Sequence, residues 1–66
     1  MDPKYPNVEV ELTGQDGNVF NIIGRVRREL RRKVGPEEAA AFVKEATSQK
    51  SYDDVLQCVM RWVEVE

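Results

Sequence analysis

VFNIIGRVRRELRRKV, residues 19–34, is the stretch whose reading decides the fold. At 100° per residue, Val19, Ile22, Ile23, Val26, Leu30 and Val34 share one face with Phe20 at its margin, which is the apolar stripe of an amphipathic helix. Arg25, Arg28 and Arg32 project from the opposite face. Arg27 and Arg31 flank the stripe on the Phe20 side, where their stems can cover apolar surface and their guanidinium groups reach water. Gly24 interrupts this helix at a cost of about 1 kcal/mol relative to alanine, so the expectation is a close approach by another element there.

A second reading of the same region begins one loop earlier. Thr13 to Asn18, TGQDGN, concentrates turn formers. Asp16 or Asn18 can cap the helix, or Asp16-Gly17 can form a type I′ hairpin with Val19–Ile23 as the returning strand. The helix is favoured, because a strand would put Val19 and Asn21 on the same face as Ile23 while the 3.6-residue pattern runs unbroken through Gly24.

Working outward, residues 1–6 contain two prolines around Tyr5 and suit a frayed lead-in. Val8-Glu9-Val10-Glu11-Leu12 alternates with period two, a strand with Val8, Val10 and Leu12 inward and the glutamates in water. Gly35 suits a left-handed C-cap of the first helix and Pro36 the first position of the next. Glu37 and Glu38 complement that helix's N-terminal partial charge, and Ala39, Phe42, Val43 and Ala46 form its narrow apolar face up to about Thr47. Ser51 reads as the cap of a third helix in which Val55, Leu56, Val59, Met60 and Val63 keep helical spacing and Trp62 flanks them. Val63-Glu64-Val65-Glu66 then repeats the alternation of Val8 to Glu11. The expected fold is α+β: an N-terminal strand, three helices and a short C-terminal strand pairing with the first, in one domain over 1–66.

A chain of 66 residues buries only about 60 % of its unfolded surface, so its core is marginal and a partner would reinforce it. One cysteine forms no internal disulfide, and without histidine the ordinary zinc sites cannot assemble. Self-association is the remaining reinforcement, and the expected form is a symmetric dimer. No signal peptide or membrane span is present in the sequence, and the lone thiol suits a reducing compartment, so the expectation is a cytoplasmic protein. The net charge of −2 conceals segregation: residues 1–18 carry −3, residues 19–35 carry +5 and residues 36–66 carry −4.

Arg25, Arg28 and Arg32 are therefore the first candidate binding residues, suited to an acidic protein surface or, as the weaker alternative, to nucleic-acid phosphates. Their bland reading is a solvated helix face with a Glu29–Lys33 pair. The pattern places no aromatic on that face, which weakens the nucleic-acid reading, and a recognition helix beginning Tyr52-Asp53-Asp54 would meet a polyanion with acids. Glu9, Glu11, Glu64 and Glu66 are the second candidate set, a docking face for a basic partner or for the arginines of another copy. Their bland reading is a solvated edge that deters aggregation. The Gly14–Asn18 loop matches no phosphate-binding or calcium-binding pattern. Cys58 reads as a packing residue with no histidine to activate it, so no catalytic residue, metal or cofactor is expected, and the chain is not read as an enzyme.

GQDGNVFNIIGRVRREL together with DVLQCVMRWVEV resembles a family of small uncharacterised proteins encoded in bacterial and phage genomes. In that family a strand, a Gly-x-Asp-Gly-Asn turn, an arginine-containing helix and a terminal Trp-Val-x-Val recur. The matching residues here are Gly14, Asp16, Gly17, Asn18, Gly24, Arg25, Arg27, Arg28, Trp62, Val63 and Val65. The resemblance implies an element order and a bacterial or phage source, and it implies no chemistry. The function expected is a small protein-interaction or regulatory module.

Overall fold

In a computed structural model, residues 2–11 and 19–65 are described. The order is β1 (Tyr5–Val10), α1 (Val19–Lys33), α2 (Pro36–Thr47), α3 (Tyr52–Trp62) and β2 (Val63–Val65). The fold is α+β, and β1 and β2 pair in parallel with Tyr5 beside Val63, Glu9 beside Glu64 and Val10 beside Val65. Parallel neighbours require a long crossover, which the three helices supply. Val19–Ile23 is helical, so the hairpin reading is excluded. The capping and turn assignments for residues 13–18, the inward placing of Leu12 and the charge of Glu66 lie outside the described residues.

The first strand begins three residues earlier than its alternation indicates and ends at Val10. Tyr5 and Pro6, which suit a frayed lead-in by composition, are strand residues because the start of β1 is held on several sides. The Lys4 N–H donates to the Arg61 carbonyl at 2.8 Å, the Tyr5 hydroxyl donates to Glu38 Oε1, and the Tyr5 ring lies 6.1 Å from that of Trp62. Pro6 falls in the interval between Tyr5 and Glu9 where the register shifts, a place where a strand tolerates the loss of an N–H.

The core joins Val8 and Val10 of β1 to Ile22, Ile23, Val26 and Leu30 of α1, then to Phe42, Val59, Trp62 and Val63. Two ends of the expected stripes differ. Val34 is 39 % exposed, because α1 stops at Lys33 and the N–H groups of Val34 and Gly35 both turn back to the Leu30 carbonyl, at 2.8 and 2.9 Å. Met60 is also exposed, and the inward face of α3 is Val55, Cys58, Val59 and Trp62. The large indole at Trp62 turns that helix towards the edge of Phe42, 5.7 Å away between centroids. Gly35 has a positive φ of 153° as its place in the chain suggests, but its ψ of 163° puts it in the extended region open only to glycine rather than in the left-handed helical one. Pro36 opens α2 as expected, and Ser51 caps α3 by accepting from the Asp54 N–H at 3.1 Å.

Candidate binding face on the first helix

The stripe that buries α1 fixes what its other side presents. With Ile22, Ile23, Val26 and Leu30 turned to the core, the positions Phe20, Gly24, Arg27 and Arg31 follow one another at i, i+4, i+7 and i+11 on the outer surface. Phe20 is 72 % exposed, although its place at the margin of the apolar stripe suggests packing. Arg25, Arg27, Arg28, Arg31 and Arg32 are all exposed. A shallow concavity of about 560 Å³ opens here, lined by Phe20, Asn21, Gly24, Arg25, Arg27, Arg28, Glu29 and Arg31.

Gly24 makes that concavity. Among the described residues a Cβ built on it would meet nothing within 4 Å, so no described element approaches, contrary to the expectation from its place inside the helix. The reason is geometric: Gly24 is on the arginine side, and what packs on α1 packs on the other. Arg25 and Arg28 of the first candidate set line the concavity, whereas Arg32 does not. Arg32 instead donates to Glu29 Oε1 at 3.1 Å, and Lys33 lies 3.8 Å from the same oxygen, forming the expected Glu29–Lys33 pair. Arg27 and Arg31, expected to lay their stems over apolar surface, belong to the concavity with Phe20. A signal for this is present in the sequence, since Gly24, Arg27 and Arg31 follow Phe20 at i+4, i+7 and i+11.

The second candidate set divides. Glu9 and Glu64 are neighbours in register and both exposed, Glu11 is exposed just beyond the strand, and Glu66 lies outside the described residues. Val8 and Val10 share one core with the inward stripe of α1, so the acids of the sheet and the arginines of α1 both point away from that core, and no sheet acid lines the concavity.

Two further polar clusters lie on the seam between α2, α3 and the start of β1. Glu45 Oε2 accepts from Trp62 Nε1 at 2.9 Å and from Cys58 Sγ at 3.1 Å, with an Arg61 guanidinium nitrogen 3.7 Å away. These donors, Cys58 first and Trp62 second, hold the Glu45 carboxyl below its ordinary pKa. Burial, followed by the bond to Glu45, pushes the Cys58 thiol up to about 12, which suppresses the nucleophilic thiolate. In the second cluster Lys4 Nζ lies 3.2 Å from Glu38 and 4.4 Å from the centre of the Trp62 ring, a cation–π contact. The Tyr5 hydroxyl bond and then Lys4 hold Glu38 below the usual carboxylate range, and the same bond raises Tyr5. Each of these groups has its partners inside the fold, so both clusters act as fasteners between elements.

Among the described residues no three acidic or thiol side chains gather where they could hold a metal ion, and no helix is long and apolar enough to cross a membrane. No family model, no curated protein and no solved structure matches the chain.

Proposed function

We propose that this chain is a small interaction module whose α1 outer face binds an acidic protein partner. The observation that carries the reading is an exposed Phe20 beside the open Gly24 position, within a concavity lined by Arg25, Arg27, Arg28 and Arg31. Guanidinium groups pair with carboxylates through parallel N–H donors, and an exposed aromatic adds apolar area to what would otherwise be a screened surface pairing. Nucleic acid offers anionic groups too, but an extended polyanion running past the end of α1 would meet Glu37 at the head of α2.

Self-association by charge alone suits the geometry less well. In a two-fold dimer the arginine face of each copy would have to reach Glu9 and Glu64 of the other at once, yet the two sets line no common surface. Contacts of that kind run head to tail and give a ring or an open filament rather than a two-fold dimer.

The reading is tested by titrating the labelled protein with an acidic helical peptide and, separately, with random single-stranded and duplex oligonucleotides, while following amide shifts along α1. Binding of the peptide with shifts on the outer face, lost in an Arg27→Glu, Arg28→Glu, Arg31→Glu variant, is the expected result. Binding of oligonucleotides alone, with affinity falling as about the second to third power of salt concentration, overturns it.

A further inference from the structure

Three local choices on α1 work against the stability of the helix, and they meet at one point. Glycine inside a helix is less favourable than alanine, and among the described residues nothing packs against Gly24 that would need its lack of a side chain. Arg27 and Arg31, both in the concavity, are like charges four residues apart, a pairing that disfavours a helix. Phe20 leaves most of an aromatic side chain in water. Departures from local consistency concentrate where a surface has another use, and what the bare Gly24 provides is room beside the Phe20 ring with arginines around it.

We infer that this notch receives a bulky apolar side chain from an acidic amphipathic segment of the partner, the apolar group lying over Gly24 against Phe20 while flanking carboxylates meet Arg27, Arg28 and Arg31. The inference rests on the acidic-partner reading and adds to it what the partner must carry. A segment of acids alone would find the cations but leave the notch and the ring wet. An apolar segment without acids would cost the surrounding guanidinium groups solvent without adding carboxylates beyond the Glu29 already in the lining. The α1 helix spans about 22 Å at 1.5 Å per residue, so three or four turns of a partner helix laid along it match this face, in the manner of helix-in-groove recognition with the anchor inverted into the module's own helix surface.

The test uses two synthetic acidic peptides, alike except that one carries a single phenylalanine among its glutamates and the other an alanine. Anisotropy titrations against the native chain and against Gly24→Met, which fills the notch, read out the affinities. The phenylalanine peptide is expected to bind native protein about tenfold or more tighter, as burial of such a side chain implies, and that difference should disappear in Gly24→Met while the weaker charge-driven binding persists. The comparison of the two peptides on native protein stands even if the variant folds poorly. Equal binding of both peptides overturns the notch and leaves the acidic-partner reading in place. If neither peptide binds at low salt, both fall, whether or not an oligonucleotide binds.

Discussion

Trp62 donates its indole N–H to Glu45 Oε2 at 2.9 Å, joining the end of α3 to the middle of α2 across 17 residues of chain. Cys58 shares the same oxygen, so one carboxylate serves the two polar groups of a side-chain cluster that is otherwise core. Folding holds Glu45 ionised below its ordinary pKa of 4.5. A depressed carboxylate contributes its stabilisation in full above that unfolded value and loses it as pH falls through the lower folded value. Glu45→Gln should therefore be less stable than native protein at pH 7, by about 1 kcal/mol for the weakened bonds, and the gap should narrow as pH drops below about 4.5. Urea denaturation at pH 7 and pH 3 measures both, and a gap independent of pH would show that ionisation of Glu45 contributes nothing.

Trp62 also carries the ring contacts to Phe42, Tyr5 and Lys4. Truncation of a buried aromatic residue costs about 3 to 5 kcal/mol, which approaches the whole stability of a small single core. Trp62→Ala should be largely unfolded at room temperature by circular dichroism. Trp62→Phe, which keeps a ring and loses the N–H donor to Glu45, should fold with a lowered denaturation midpoint.

Cys58 is fully buried and its thiol is raised from an ordinary 9.0 to about 12. Both effects protect it from alkylation in the folded state, the second by depleting the thiolate. Reaction with a thiol reagent at pH 8 should track opening of the α2–α3 contact and accelerate in urea in step with unfolding. Native-state labelling at the rate of a free thiol would contradict the burial.

The element order is legible in the sequence because hydrophobic period changes at each boundary: two in Val8 to Glu11, 3.6 from Val19, and two again from Val63. Pro36 and Ser51 mark the helix starts by local backbone chemistry that needs no tertiary information. The start of β1 is not legible, since nothing in residues 1–6 announces that Tyr5 will find Glu38 and Trp62, partners 33 and 57 positions away. Met60 leaves the stripe its spacing gives it, while Cys58 packs as read, because the orientation of α3 is set by Trp62, a side chain too large to leave at the flank. The candidate site is half legible. The arginines announce themselves, but whether Gly24 opens inward or outward depends on which side of α1 its neighbours occupy.

Gly24 supplies a prediction opposite to the one its sequence position suggests. With nothing among the described residues within 4 Å of a methyl group placed there, Gly24→Ala should stabilise the protein by about 0.4 to 1 kcal/mol through the lower entropy of the unfolded chain. For a domain of this size that corresponds to a rise of several degrees in Tm. A fall in Tm would mean that another element presses on the site after all.

Glu9 and Glu64 stand side by side in register on the exposed side of the two-stranded sheet. Like charges in neighbouring strands repel, and their removal is worth about 0.2 to 1 kcal/mol. Glu64→Gln, which ends the repulsion, should raise the urea midpoint slightly, and Glu64→Lys, which turns it into attraction, should raise it further. Both gains should shrink in 1 M salt, where the screening length is about 3 Å. If Glu64→Lys is destabilised relative to Glu64→Gln at every salt concentration, the strand environment and not the charge of Glu9 governs the site. The same substitutions address why acids stand there at all. Charge on a short exposed strand discourages edge-to-edge pairing of copies, so sedimentation equilibrium should show Glu64→Gln associating more readily than native protein at high concentration. A native mass that stays near 7.6 kDa alongside a variant mass that rises would identify the acidic pair as a guard on the sheet edge, retained at the expense of a more stable fold.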